Sequence, residues 1–154
     1  MSREFIIMRG VSGSGKSFKA RQLAADKGVI CSADHFFEER GSYDPAFLKV
    51  AHILCQGRAI EALRKGVAVV IIDNTHTMKW ELKVLKPIVQ YAQSLGYSVK
   101  IEEPDTQWWK DRDVQELFKR SSHNVPIEYT EKTVKRYEEN VTIEDILEDV
   151  ASKS

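Results

Sequence analysis

Eight residues near the amino terminus have the pattern of a phosphate-binding loop. Residues 10–17, GVSGSGKS, match GxxxxGK[ST] and stand between the apolar run 5–8 and a helical pattern over 16–25. In such a loop the backbone N–H groups point at phosphate oxygens, and the helix that follows adds the positive end of its dipole. The pattern therefore predicts a site for a nucleoside triphosphate, with ATP or GTP as the ligand.

Roles within the loop follow from side-chain chemistry. We expect Lys16 to contact the β- and γ-phosphates and Ser17 to offer its hydroxyl to Mg²⁺. Gly13 is not required by the pattern, and we expect it only to make the loop more permissive. The predicted nucleotide contacts are Gly10, Ser12, Gly13, Ser14, Gly15, Lys16, Ser17 and Phe18.

Two aspartates follow apolar runs further along the chain. Asp73 comes directly after 67–72, a mostly β-branched run typical of a strand buried on both faces, and could hold Mg²⁺ with Ser17. Asp34 follows the shorter run 29–31, and its loop would face the phosphoryl acceptor. Asp34 could therefore act as the general base that takes the proton of an attacking hydroxyl. Either aspartate could instead only cap a turn or a helix.

Several polar residues could contact a substrate, although each also has a structural explanation. Asn74 and Thr75 could equally form the turn that follows Asp73. Arg58 lies in a predicted long helix and could reach an acceptor phosphate or form an ion pair with Glu61 or another acid. The candidate substrate contacts are His35, Arg58, Asn74 and Thr75.

A basic segment late in the chain has the pattern of a helical lid. Lys119 and Arg120 precede a break between two predicted helices, and we take 119–126 as the candidate lid. Arg120 would act catalytically by neutralising charge on the transferred phosphoryl group. A solvated basic helix end would have the same pattern.

The order of the predicted elements indicates the fold class. Apolar runs predict strands at 5–8, 29–31, 67–72 and 97–102, alternating with helices at 16–25, 45–65 and 79–94. Helices at 113–121 and 129–139 and an acidic helix or tail within 141–154 complete the chain. This order predicts a three-layer α/β P-loop fold with a mainly parallel sheet, and ligands bind such sheets at the carboxyl ends of the strands.

Length and composition narrow the function classes. The 154 residues fit one domain, 1–154, and the 23 basic and 23 acidic residues cancel, which excludes a global positive field for holding nucleic acid. A nucleic-acid partner would have to be recognised locally, and no required protein partner is evident. Two cysteines without metal-ligand spacing and no apolar run of membrane-spanning length predict a soluble protein of the cytoplasm or another reducing compartment.

Four segments taken in order resemble the P-loop kinase domain of polynucleotide 5′-hydroxyl kinases, most closely the animal branch typified by NEDD-four-binding protein two. The segments are 10–17, 32–37, 71–75 and 103–108. The resemblance implies NTP-dependent phosphorylation of a 5′-hydroxyl end of RNA or DNA. It also implies a set of roles: Lys16 on phosphate, Ser17 and Asp73 on Mg²⁺, Asp34 as general base and Arg120 as lid arginine.

The chain departs from that family at two places. His35 stands where a second acid is often found, and residues 121–124 lack the second arginine of the phage-type enzymes. Two other functions fit the same residues. A small-molecule P-loop kinase is slightly favoured by the neutral net charge. A nucleotide-binding module without transfer activity would not require Asp34 beside the acceptor.

Overall fold

The computed structural model of the chain describes residues 2–121 and 125–149. It contains the four predicted strands, β1 (Glu4–Met8), β2 (Gly28–Cys31), β3 (Val69–Asp73) and β4 (Ser98–Glu102). All neighbouring pairs are parallel, and the strand order is β2-β3-β1-β4. Because β1 is central, the loop that follows it lies between the ends of β3 and β4.

Nine helices accompany the sheet in the described part of the chain. They are α1 (Lys16–Ala24), α2 (Asp34–Arg40), α3 (Leu48–Arg64), α4 (Lys79–Lys83), α5 (Lys86–Ser94), α6 (Gln107–Lys110), α7 (Val114–Arg120), α8 (Ile127–Arg136) and α9 (Ile143–Leu147). None of these helices is long and apolar enough to cross a membrane. Residues 122–124 of the candidate lid and 150–154 of the predicted acidic tail lie outside the described residues.

The two faces of the sheet are covered by different helices, which confirms the predicted three-layer α/β fold. On one face Phe5 and Ile7 of β1 join a core that includes residues of α3, α5 and α9. On the other face Ile6 and Met8 contact the core formed with α1. The four apolar residues of β3 are buried, as their β-branched sequence predicts, and so is its last residue, Asp73.

The helix predicted over 79–94 is wrong as one element, because the chain forms α4 and α5 with a break between them. Pro87 lies in the first turn of α5, where its missing N–H costs no helical hydrogen bond. In a continuous helix its ring would clash with the carbonyl of Lys83, the residue at which α4 ends. The helix predicted over 45–65 is likewise divided, into a 3₁₀ turn at Pro45–Phe47 and α3.

Two short helices were not predicted. Helix α2 begins at Asp34, which was expected in a loop, and ends at Arg40, where Gly41 follows in the left-handed conformation. Helix α6 begins after Thr106, whose Oγ1 accepts a hydrogen bond of 3.3 Å from the Trp109 N–H. Both helices are only one or two turns long, so a hydrophobic period cannot reveal them.

Candidate active site

The strand order brings three predicted site residues into contact. Lys16 Nζ lies 2.6 Å from Asp73 Oδ1, and Ser17 Oγ donates a hydrogen bond of 2.9 Å to Asp73 Oδ2. Asp73 is the last residue of β3 and is only 5% exposed. β1 and β3 pair directly, so the first turn of α1 and the Asp73 carboxylate meet at the carboxyl edge of the sheet.

This group of side chains fits a magnesium-bound triphosphate. The Ser17 hydroxyl and the Asp73 carboxylate are the oxygen ligands that Mg²⁺ prefers, and phosphate oxygens and water usually complete its coordination. Lys16 supplies a cation at the loop, with its charge balanced by Asp73 in the structure. Among residues 2–121 and 125–149, no group of three His, Cys, Asp or Glu side chains could hold a metal by itself.

Gly13 is required by packing, so the expectation that it only makes the loop permissive is wrong. Its φ is +84°, in the left-handed region that favours glycine. A Cβ at this position would also overlap the backbone carbonyl oxygen of Leu117 in α7. The backbone of the phosphate loop therefore packs directly against the backbone of α7, with no room for a side chain between Gly13 and Leu117.

Gly13→Ala is expected to lower the free energy of unfolding by about 2–4 kcal/mol, because it combines a left-handed φ with overlap of a fixed backbone atom. Gly41→Ala is the matched control, since Gly41 has φ +80° but nothing within 4 Å of an added Cβ. The control should cost only about 1 kcal/mol. Denaturant unfolding measures both variants, and equal losses would contradict the packing role of Gly13.

Helices α6 and α7 form an arm that holds the phosphate loop through its backbone. Trp108 Nε1 donates a hydrogen bond of 2.9 Å to the Gly13 carbonyl, and Thr106 Oγ1 donates one of 2.8 Å to the Ser14 carbonyl. The hydroxyls of Ser12 and Ser121 are 2.7 Å apart. The arm and the loop are thus one connected unit, which no local sequence pattern predicts.

Arg120 lies at the end of this arm. Its guanidinium carbon is 3.7 Å from the centroid of the Trp108 ring, and its Nε donates a hydrogen bond of 2.8 Å to Glu116 Oε1. The side chain is about half exposed. Arg120 thus packs on the tryptophan whose indole N–H bonds to the Gly13 carbonyl of the phosphate loop.

Arg9 is a buried arginine near the site that the sequence does not single out. Only 1% of it is exposed. It follows the last residue of β1 and donates hydrogen bonds to the carbonyls of His76, Thr77 and Glu138, at 2.8 to 3.1 Å. Its guanidinium also stacks over the Tyr137 ring. Arg9 therefore ties the turn after β3 to the segment that follows α8, and only the folded structure reveals this role.

Residues of the turn after β3 differ in their exposure. The Thr75 side chain is exposed, and its carbonyl accepts a hydrogen bond of 3.1 Å from the Gly10 N–H. His76 is buried, and burial lowers its pKa to about 4. The imidazole is neutral at pH 7, and its Nδ1 lies 2.8 Å from the Met8 carbonyl, to which it donates. His76 is consequently a packing residue rather than a cation for phosphate.

Asp34 lies just beyond the carboxyl end of β2, the strand next to β3. It is the first residue of α2, and its side chain is exposed. Its backbone N–H donates a hydrogen bond of 3.1 Å to Ser32 Oγ. The preceding residue, Ala33, donates its N–H to Asn74 Oδ1 at 2.9 Å. The structure therefore joins the backbone beside Asp34 to the residue that follows Asp73.

The remaining candidate residues lie between α2 and α3. Arg58 donates a hydrogen bond of 3.0 Å to Glu39, and its Nη1 is 3.5 Å from His35 Nδ1. The ion pair expected for Arg58 thus forms with Glu39, whereas Glu61 pairs with Arg64. The structure brings Arg58 to His35, the residue after Asp34, and Arg58 also lines a cavity between the two helices.

The sequence of the chain matches a family model described as an AAA domain over residues 5–142. The chain belongs to this AAA domain family. It is also 40% identical over 146 residues to NEDD4-binding protein 2 of Homo sapiens, which confirms the predicted resemblance. That match covers 92% of the chain but only 8% of the relative's length.

Two solved structures support the fold of this AAA domain. A chain in a structure of the Pnkp1/Rnl/Hen1 RNA repair complex superposes with a TM-score of 0.65 and 20% identity, covering 97% of this chain and 50% of that one. A chain in a second structure of the Pnkp1/Rnl/Hen1 complex gives 0.56 and 25% identity, with coverages of 81% and 41%. The domain is a P-loop kinase-like domain, a type that serves nucleotide-dependent phosphoryl transfer.

Proposed function

We propose that this domain transfers the γ-phosphoryl group of ATP or GTP to the 5′-hydroxyl end of a polynucleotide. The observation that carries the proposal is that Asp34 and Asp73 lie at the carboxyl ends of two neighbouring strands, β2 and β3. Asp73 contacts Lys16 and Ser17 in the phosphate loop, and Asp34 stands on the other side of Asp73, joined to it through Asn74. A phosphoryl donor and an attacking hydroxyl need such neighbouring sites.

Each of these residues takes a distinct role in the proposed reaction. Lys16 binds the β- and γ-phosphates, while Ser17 and Asp73 hold Mg²⁺, which neutralises phosphate charge when bound. The acceptor oxygen forms a bond to the γ-phosphorus as the bond to the bridging β–γ oxygen breaks, and the nucleoside diphosphate leaves. Asp34 accepts the proton that the 5′-hydroxyl loses.

The polynucleotide acceptor is supported by the four motifs that resemble polynucleotide kinases and by the side chains near Asp34. These four motifs, 10–17, 32–37, 71–75 and 103–108, all lie within residues 5–142, the region that the family model matches. In this proposal His35 and Arg58, which lie 3.5 Å apart beside Asp34, contact the acceptor end, and Thr75 is exposed beside the phosphate loop. Because the net charge is zero, we expect the domain to contact only a few nucleotides at the 5′ end and not to bind a long stretch of nucleic acid.

Location is part of the same proposal. Cys31 and Cys55 are buried, and among the described residues neither forms a disulfide. Burial raises the pKa of the Cys31 thiol to about 12, so this thiol is protonated and unreactive at neutral pH. Reduced, inert cysteines fit a protein that works in the cytoplasm or another reducing compartment.

An acceptor panel tests the proposed function. The purified domain is incubated with γ-labelled ATP, Mg²⁺ and, separately, 5′-hydroxyl RNA, 5′-hydroxyl DNA and gluconate. We expect label on an oligonucleotide and none on gluconate. Label on gluconate alone would identify a small-molecule kinase, the alternative that the neutral charge favours, and tight ATP binding without any labelled acceptor would identify a binding module.

Arg120→Ala is expected to lower kcat at least about tenfold while changing the KM for ATP by no more than about threefold. The reason is that a lid arginine interacts mainly with charge that develops during transfer. Initial rates over an ATP titration measure both constants.

Arg64→Ala is the matched control for this prediction. Arg64 also ends a helix and pairs with an acid one turn earlier, but α3 leads into the amino end of β3, at the opposite edge of the sheet. The control should leave kcat unchanged. A loss in Arg120→Ala that is confined to thermal stability would assign Arg120 a structural role.

A further inference from the structure

The side chain of Asn74 connects three elements around the candidate active site. It follows the last residue of β3, and its Oδ1 accepts the 2.9 Å hydrogen bond from the N–H of Ala33. Its Nδ2 lies 3.5 Å from Cys55 Sγ on α3. The bond to Ala33 determines the orientation of the amide, since only its oxygen can accept from an N–H group.

The contact with Ala33 caps the beginning of α2. Backbone N–H groups at the start of a helix have no partner within the helix. Here Ser32 Oγ accepts from Asp34, and Asn74 Oδ1 accepts from Ala33. Ser32 is a local cap, whereas Asn74 is 41 residues from Ala33 in the sequence and directly follows the neighbouring strand β3. The position at which α2 begins is therefore set relative to β3.

Loss of the hydrogen bond between the Ala33 N–H and Asn74 Oδ1 would destabilise the start of α2. Ala33 is 4% exposed, so water does not readily replace the amide oxygen at its N–H. A buried N–H without an acceptor costs about 1–3 kcal/mol, which the chain can relieve by shifting the start of α2. Asp34 is the next residue and would move with it.

We propose that Asn74 is a positioning residue that holds Asp34 where it can take the acceptor's proton. The inference rests on the proposed function and replaces the direct substrate contact expected for Asn74 from the sequence. A general base must lie within hydrogen-bond reach of the proton it accepts, and a misplacement of about 1 Å can lower the rate roughly 100-fold. Asn74 acts on Asp34 through the backbone of Ala33.

The kinetic test uses Asn74→Ala, with Cys55→Ala as its matched control. Asn74→Ala is expected to lower kcat for a 5′-hydroxyl oligonucleotide about 10- to 100-fold, with the KM for ATP within about twofold of wild type. Cys55→Ala removes the contact to Nδ2 and the core packing of one sulfur atom but keeps the bond to Ala33, so its kcat should stay within about twofold. Equal losses in kcat for the two variants would overturn the inference.

A double-mutant cycle shows whether Asn74 acts through Asp34. In an Asp34→Asn background, Asn74→Ala is expected to cause no further loss of the residual transfer rate, because the base that it positions is already absent. A further loss as large as that in the wild-type background would overturn positioning and indicate a direct substrate contact.

Hydrogen exchange separates failure of the inference from failure of the proposed function. If the wild type labels no acceptor, the proposed function fails whatever Asn74 does. The contact is tested independently by the exchange rate of the Ala33 amide, which should rise at least about tenfold in Asn74→Ala and stay unchanged in Cys55→Ala. An unchanged rate in Asn74→Ala would overturn the positioning role.

Discussion

Asp34→Asn is expected to bind Mg²⁺ and ATP as tightly as the wild type and to lose phosphoryl transfer by about 10²- to 10⁴-fold. The amide keeps the shape of the side chain at the start of α2, so the backbone bonds of Ala33 and Asp34 remain possible. An amide cannot accept the proton of the 5′-hydroxyl. Nucleotide titration calorimetry and a transfer assay together measure this separation of binding from chemistry.

Asp44→Asn is the control for that experiment. Asp44 caps the 3₁₀ turn that precedes α3, where Asn is as good a cap, and the substitution removes one negative charge as Asp34→Asn does. Its transfer rate should equal that of the wild type. We would abandon Asp34 as the base if Asp34→Asn phosphorylated every acceptor at a near wild-type rate.

Lys16→Ala is expected to reduce both nucleotide affinity and the stability of the free protein. Affinity for ATP with Mg²⁺ should fall about 10- to 100-fold, because a charge-assisted contact with phosphate is worth about 1.5–3 kcal/mol. The free energy of unfolding should fall by about 2–3 kcal/mol, since the buried Asp73 carboxylate loses its cation.

A second substitution separates these two effects. In Lys16→Ala with Asp73→Asn, no unpaired buried carboxylate remains, and the Ser17 hydroxyl can still bond to the amide. Stability should return toward the wild-type value while ATP affinity stays low. Wild-type ATP affinity in Lys16→Ala would contradict the assignment of residues 10–17 as the phosphate site.

Local patterns were sufficient to predict the strands and the phosphate loop. A run rich in β-branched residues, such as 67–72, indicates a buried strand without knowledge of its neighbours. The spacing of glycine, lysine and serine in residues 10–17 likewise indicates a phosphate loop by itself. The break between α4 and α5 was also visible in the sequence, because Pro87 cannot occupy the interior of a continuous helix.

The contacts that complete the candidate site could not be predicted from one sequence. Gly13 is constrained by the carbonyl of Leu117, and Asn74 by the N–H of Ala33. Each pair is far apart in the chain and meets only because the sheet has the order β2-β3-β1-β4 and the α6–α7 arm lies on the phosphate loop. Side-chain chemistry indicated which residues could act, but tertiary packing decides what holds them in place.

One oligonucleotide in two forms, with a 5′-hydroxyl or a 5′-phosphate end, tests the proposed reaction directly. Each is incubated with the wild-type domain, Mg²⁺ and ATP, and the products are analysed by mass spectrometry. The proposed reaction predicts that the 5′-hydroxyl form gains one phosphoryl group at its 5′ end, that the 5′-phosphate form gains none, and that Asp34→Asn modifies the 5′-hydroxyl form at least about 100-fold more slowly than the wild type. Equal modification of both forms, or none of the 5′-hydroxyl form by a domain that binds ATP, would contradict it.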